Sequence, residues 1–180
     1  MAIATLRPNG AGTAIAGAVN LTAVGAASTY LCISESSAND DTDYALKSGD
    51  NTAGEHYPIT SNSIGGSDTI SSVKVYYRVK AETNKIGNSG WAPVIHIGGT
   101  TTAGTYNVPS TSVYTTYSTD WTTKPGGGSW TKSDIDSLRI GVINDDGSPD
   151  NSRCTQVYVE VTYTASGGSS STPALLLAGN

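Results

Sequence analysis

The 180-residue sequence has no phenylalanine, one methionine, two cysteines and two histidines, and only 14% of it is charged. Each shortage excludes something. Cys32 and Cys154 are too few for a disulfide scaffold and lack the CxxC or Cys/His spacing of a zinc site. His56 and His96 stand in strand-like stretches without a GxSxG or similar frame, so a nucleophile has no evident base beside it, and both read as structural residues. An average soluble domain is about 25% charged; the low figure here leaves a surface dominated by Thr, Ser, Asn and Gly. The ten basic residues are scattered and the net charge is -5, which excludes binding nucleic acid through its phosphates, since that mode needs clustered Lys and Arg. No apolar run is long enough to cross a membrane. The first ten residues show no basic stretch leading into an apolar one, so no secretory signal is expected. Gly126-Gly127-Gly128 does not sit between a strand and a long helix and reads as a flexible connection, not a phosphate loop.

What is present favours strand and turn: 21 Gly, 10 Tyr and 7 Pro, with strong helix formers scarce. The length suits one core and one domain. Val73, Val75, Tyr77 and Val79 alternate with Lys74, Tyr76, Arg78 and Lys80, giving one buried and one wet face. Val157, Val159, Val161 and Tyr163 alternate in the same way with Tyr158, Glu160 and Thr162. Further strands are expected at Ser28–Ile33, Tyr44–Leu46, His56–Ile59 (an edge, because of Pro58), Trp91–Ile97, Thr105–Val108, Ser112–Asp120 and Arg139–Asn144. Gly98-Gly99 suits a tight hairpin turn. One helix is expected at Trp130–Leu138, capped by Thr131 with Asp134 three residues on. About eight strands at short spacing predict an all-β chain, a jelly-roll-like antiparallel β-sandwich with one short helix and extended terminal arms. Its divisions are an N-terminal arm or edge strand over 1–27, a sandwich over 28–164, and a linker with an apolar tail over 165–180.

The Ser/Gly linker at 165–171 carries Pro173, Leu175, Leu176 and Leu177. A leucine peptide gains nothing by ordering alone in water, because fixing each residue costs about 1–2 kcal/mol that only burial offsets. Docking on a neighbouring subunit is therefore expected. Cys32 is placed in the first clear strand and Cys154 at the start of the last, which a jelly roll brings side by side. A disulfide and a pair of buried free thiols are equal alternatives. The acids cluster in turns, where solvation is the plain explanation. Asp40, Asp41 and Asp43 could also offer oxygens to calcium, although they lack the spacing of an EF-hand loop; no other cofactor is expected. Trp91, Trp121 and Trp130, with Tyr114 and Tyr117, are candidates for stacking on sugar rings, set against core packing in a chain without Phe.

Leu6-Arg7-Pro8-Asn9-Gly10 and the later run Trp121…Pro125…Trp130-Thr131…Asp134-Ile135…Leu138…Gly141-Val142 resemble a group of tailed-bacteriophage structural proteins with an opening LRPNG phrase and a W…P…WT…DI..L..GV phrase. The resemblance spans most of residues 3–164. It implies a non-enzymatic virion component made in the host cytoplasm, with capsid decoration favoured over tail or fibre. Its partners would be copies of itself and other virion proteins, with neither nucleic acid nor membrane. The rival expectation is a carbohydrate-binding or adhesive surface module, on a tail fibre or secreted; a hydrolase is a weaker third.

Overall fold

A computed structural model describes residues 1–60, 62–82, 90–111, 113–145 and 151–166. The chain forms β1 (Ala2–Leu6), β2 (Thr13–Ala14), β3 (Thr22–Val24), α1 (Thr29–Ile33), β4 (Tyr44–Lys47), β5 (Ala53–Pro58), β6 (Thr69–Ala81), β7 (Gly90–Ile97), β8 (Thr100–Ala103), β9 (Thr115–Trp121), α2 (Lys132–Ser137), β10 (Arg139–Asp145) and β11 (Ser152–Thr164). One sheet has the order β3-β4-β11-β6-β9, with β1 also on β11; the other has the order β2-β5-β10-β7-β8. All named pairings are antiparallel. The interleaved orders β4-β11-β6-β9 and β5-β10-β7-β8 are those of eight strands wound as a jelly roll, as the strand spacing predicts.

The two long strands carry the first sheet. β6 and β11 pair from Ala81↔Ser152 to Thr69↔Thr164. Their predicted inner rows are buried: Val73, Val75, Tyr77, Val79, Val157, Val159 and Val161 have no exposed surface. Tyr57, Trp91, Ile95, Ile140 and Val142 of the second sheet complete one shared core. Tyr77 locks the layers together by donating its hydroxyl to the Trp91 carbonyl at 2.9 Å.

Of the two alternatives for the N-terminal residues, arm or edge strand, the strand is the one found. β1 runs along β11 from Ala2↔Tyr163 to Leu6↔Val159, and β3 lies on β4. Leu6 and Leu21 are buried in the common core, so no boundary falls at residue 27. Ser28–Ile33, expected as a strand, is instead the one-turn helix α1, which turns Cys32 and Ile33 wholly inward. Thr105–Val108 is a loop touching the sheet at one bridge, Trp91↔Asn107; the strand falls earlier, at β8. The two-glycine turn stands, with φ of 57° at Gly98 and 80° at Gly99, a conformation glycine reaches without steric cost. The capping box also forms: Thr131 Oγ1 accepts from the Asp134 amide while the Asp134 side chain accepts from the Thr131 amide.

Candidate functional site

The acidic loop closes on the protein itself. Asp40 adopts a left-handed backbone (φ 49°), which a short polar side chain tolerates. From there it takes two hydrogen bonds from Arg78, Nε and Nη2 each at 2.7 Å. Asp41 meets Lys80 at 3.5 Å and Arg153 at 2.7 Å, and accepts from the Tyr114 hydroxyl. These cations stand on the outer faces of β6 and β11. Of the acids expected as calcium candidates, Asp40 and Asp41 form a clasp with three basic side chains, Arg78, Lys80 and Arg153. Asp43 belongs to different surroundings: its Oδ1 is buried without a hydrogen bond, and its charge adds to burial in raising the Glu35 carboxyl above its ordinary range. Among the described residues no three acidic, histidine or cysteine side chains gather as metal ligands.

Cys32 and Cys154 are both buried and unbonded. With Cys32 on α1 instead of a strand, each thiol turns to a nearby carbonyl, Cys32 to Val24 and Ser28, and Cys154 to Gln156. Burial raises both, Cys154 to about 12. The tail residues Pro173, Leu175, Leu176 and Leu177 lie outside the described residues.

No tryptophan offers a flat platform. Trp91 and Trp130 are buried, and Trp121 packs against the core. On the outer face of the six-stranded sheet, cross-strand neighbours Tyr76 and Tyr158 stack at 4.7 Å and 7°. Arg7 lies over the Tyr158 ring and Lys74 over the Tyr76 ring.

The other sheet carries an open groove of about 600 Å³ on its outer face, within the range of roughly 300–1,000 Å³ usual for small-ligand sites. Registers fix its composition. Thr13, His56, Gly141, Val94 and Ala103 form one row across β2, β5, β10, β7 and β8, and Arg139 and His96 are paired one step along. Gly141 is decisive, because a Cβ there would lie 1.9 Å from the Glu55 carbonyl oxygen. With no side chain on β10 at that point, His56 and His96 lean together over it and stack at 4.2 Å and 14°.

Hydrogen bonds set the chemistry of this pair. Arg139 Nε donates to His56 Nδ1 at 2.7 Å, so the His56 proton sits on Nε2. Arg139 Nη2 donates to Thr13 Oγ1 at 2.9 Å and to the His56 carbonyl at 3.1 Å. His96 Nδ1 lies 2.8 Å from Thr101 Oγ1. Burial, then the neighbouring His96 and Arg139, push His56 down to about 4, leaving it neutral at physiological pH. The result is a trough with an apolar floor at Val94 and Ile143, and hydrogen-bonding groups along its walls. A smaller hollow of about 390 Å³ lies beyond the Gly98-Gly99 turn; its charged groups, Lys124 and Asp134, pair with each other at 3.3 Å.

The sequence places both histidines on strands but reads each alone. The signal for their meeting was faint: Gly141 stands between Ile140 and Val142 inside a strand, where a missing side chain marks a close approach.

No family model matches the chain, and no curated protein matches it. Among solved structures it is similar to a family 16 carbohydrate-binding module-2, at 13% identity over 81% of this chain and 85% of that one (TM-score 0.45). It is also similar to the CBM22-1 xylan-binding domain of Paenibacillus barcinonensis Xyn10C, at 10% identity over 89% and 94% of the two chains (TM-score 0.47). An arabinose-bound α-L-arabinofuranosidase, MgGH51, aligns at 12% identity over 87% of this chain and 23% of its own (TM-score 0.43). At these scores the likeness lies in strand arrangement, and the groove's own residues must speak for function.

Proposed function

We propose that this chain is a non-catalytic binding module that holds a saccharide in the groove over the outer face of β5, β10 and β7. The observation that carries the reading is the histidine pair above Gly141. It sets the His56 Nε2–H beside threonine hydroxyls and an apolar strip, and sugars present hydroxyl edges and C–H faces to such a mixture. Small residues at 141 and 103 leave depth for a ring, and the neutral His56 imidazole avoids the desolvation cost of burying a charge. The test is glycan-array and affinity-electrophoresis binding of the whole chain beside His96→Ala and Thr101→Val. Binding that disappears in both variants, with melting temperature held, supports the reading; binding indifferent to both removes it.

A virion role is a second reading, favoured by the N-terminal edge. Among the described residues β1 pairs on one side only; its Ile3 and the Met1 before it are 62% and 91% exposed. Ser166, just past β11, bonds Asp68 and Ser67, so the chain leaves the sandwich at the same end. In this reading a tailed-phage particle displays the module, as capsid decoration or fibre, with copies of itself and other virion proteins as partners. The tail Pro173 to Leu177 then docks on a neighbouring subunit. Stoichiometric presence in purified particles supports it. Assembly unchanged after deletion of residues 165–180 counts against docking by the tail.

A further inference from the structure

Among the described residues Arg139 has no anionic partner. It sits half-buried on β10 at the rim of the groove, and of its five N–H groups Nε donates to His56 Nδ1 while Nη2 donates to Thr13 Oγ1 and the His56 carbonyl. All three acceptors are neutral. The two N–H groups of Nη1 make no hydrogen bond among the described residues, and no described carboxylate pairs with the guanidinium. Arg78 has Asp40 and Arg153 has Asp41 and Glu82, while Arg7, on the outer face of the other sheet, donates to the Glu35 carbonyl and lies over the Tyr158 ring. Burial alone lowers the Arg139 guanidinium from its usual value, with no nearby acid opposing it.

The groove walls add no negative charge. Its lining is threonine, histidine and small or apolar residues, with no Asp or Glu. Asp136, three residues before Arg139, is taken by Lys132 and Asn62, and Glu55, next to His56, points through the sheet to the opposite side, where Thr29 and Tyr57 donate to it at 2.6 and 2.5 Å. His56 and His96 are occupied with Arg139 and Thr101 and cannot neutralise a cation. A half-buried guanidinium with free donors, at the edge of a trough without acids, is suited to an oxygen anion, because charge-assisted hydrogen bonds are the strong ones at such a site.

We infer that the ligand of this groove is an acidic saccharide, whose carboxylate or sulfate accepts from Arg139 Nη1 while its ring lies beside the histidine pair. This rests on the saccharide reading above and narrows it. Thr13 and His56 act as positioning residues, since they hold Nε and Nη2 of the guanidinium and leave Nη1 for the ligand.

The experiment separates the two ideas by changing ligand charge and little else. Whole-chain binding is measured on an array of neutral and acidic glycans, and by titration with polygalacturonate and its methyl-esterified form at low and high salt. The expected result is a preference of about tenfold for acid over ester, the scale of one charge-assisted hydrogen bond, shrinking with salt. Arg139→Gln abolishes the preference while weak binding to the ester survives. Arg139→Lys, which keeps the charge without the fork, retains part of the preference and guards against a folding defect in the glutamine variant. Equal binding of acid and ester, or a preference insensitive to Arg139, overturns the inference and leaves the saccharide reading standing. Absence of binding to every glycan on the array overturns both.

Discussion

Asp40 and Arg78 meet as a two-pronged ion pair, both contacts at 2.7 Å, with the aspartate held in a left-handed backbone conformation at the tip of its loop. A planar fork against a carboxylate is the best geometry an arginine can adopt, and here it fastens the loop over 34–43 to the middle of β6. Asp40→Asn keeps a residue tolerant of the left-handed region and removes only the charge. Both side chains are about a third exposed, so solvent limits the cost to about 1 kcal/mol. Denaturant unfolding checks it. The Arg78 hydrogen bonds lower the Asp40 carboxyl below its ordinary 3.8, so its contribution is complete above that pH and is lost as pH falls through the depressed value. Asp40→Asn is expected to flatten that acid limb.

Gly141→Ala should be among the most damaging single changes. Its methyl group would overlap the Glu55 carbonyl oxygen, and the pairing of β5 with β10 would have to part. A loss of about 3 kcal/mol or more is expected, measured by urea unfolding. Ala103→Gly, in the same row on edge strand β8, should cost far less.

His56 provides a pH signature. An unfolded histidine titrates near 6.5, and the folded one near 4. The folded state therefore binds the proton less tightly, and stability is full above pH 6.5 and lost as pH falls from there toward 4. His56→Gln should remove that slope. Histidine proton resonances followed by NMR should show His56 unmoved between pH 8 and about 5; a midpoint near 6.5 would contradict the packed pair.

The two thiols should be silent in the native state. Cys154 is fully buried and raised to about 12, and Cys32 is also raised, so neither supplies thiolate at neutral pH. Ellman's reagent should label neither until denaturant is added and then label two per chain. Prompt native labelling of either would refute the packing of α1 and β11.

Local patterns announced themselves and distant meetings did not. The alternation along β6 and β11, the Gly98-Gly99 turn and the Thr131/Asp134 cap all depend on neighbours a few residues apart, and each is found. Ser28–Ile33 misleads because Tyr, Leu, Cys and Ile suit a strand by intrinsic preference. Burial of Cys32 and Ile33 at the end of the sandwich overrides it in a single turn. The groove was unreadable for another reason: His56 and His96 are forty residues apart, and only the order β5-β10-β7 makes them neighbours. Composition shows Asp40 and Asp41 but not Arg78, Lys80 and Arg153 opposite them, so the ion pairs of the loop could not be read from it.

The run Arg7, Tyr158, Tyr76, Lys74 gives the molecule a back and a front. The two tyrosine rings of that file stack on each other and each also has a cation over it, so neither is a bare ring. With rings under cations on the outer face of one sheet and the histidine trough on the outer face of the other, contact made on the first side leaves the second uncovered.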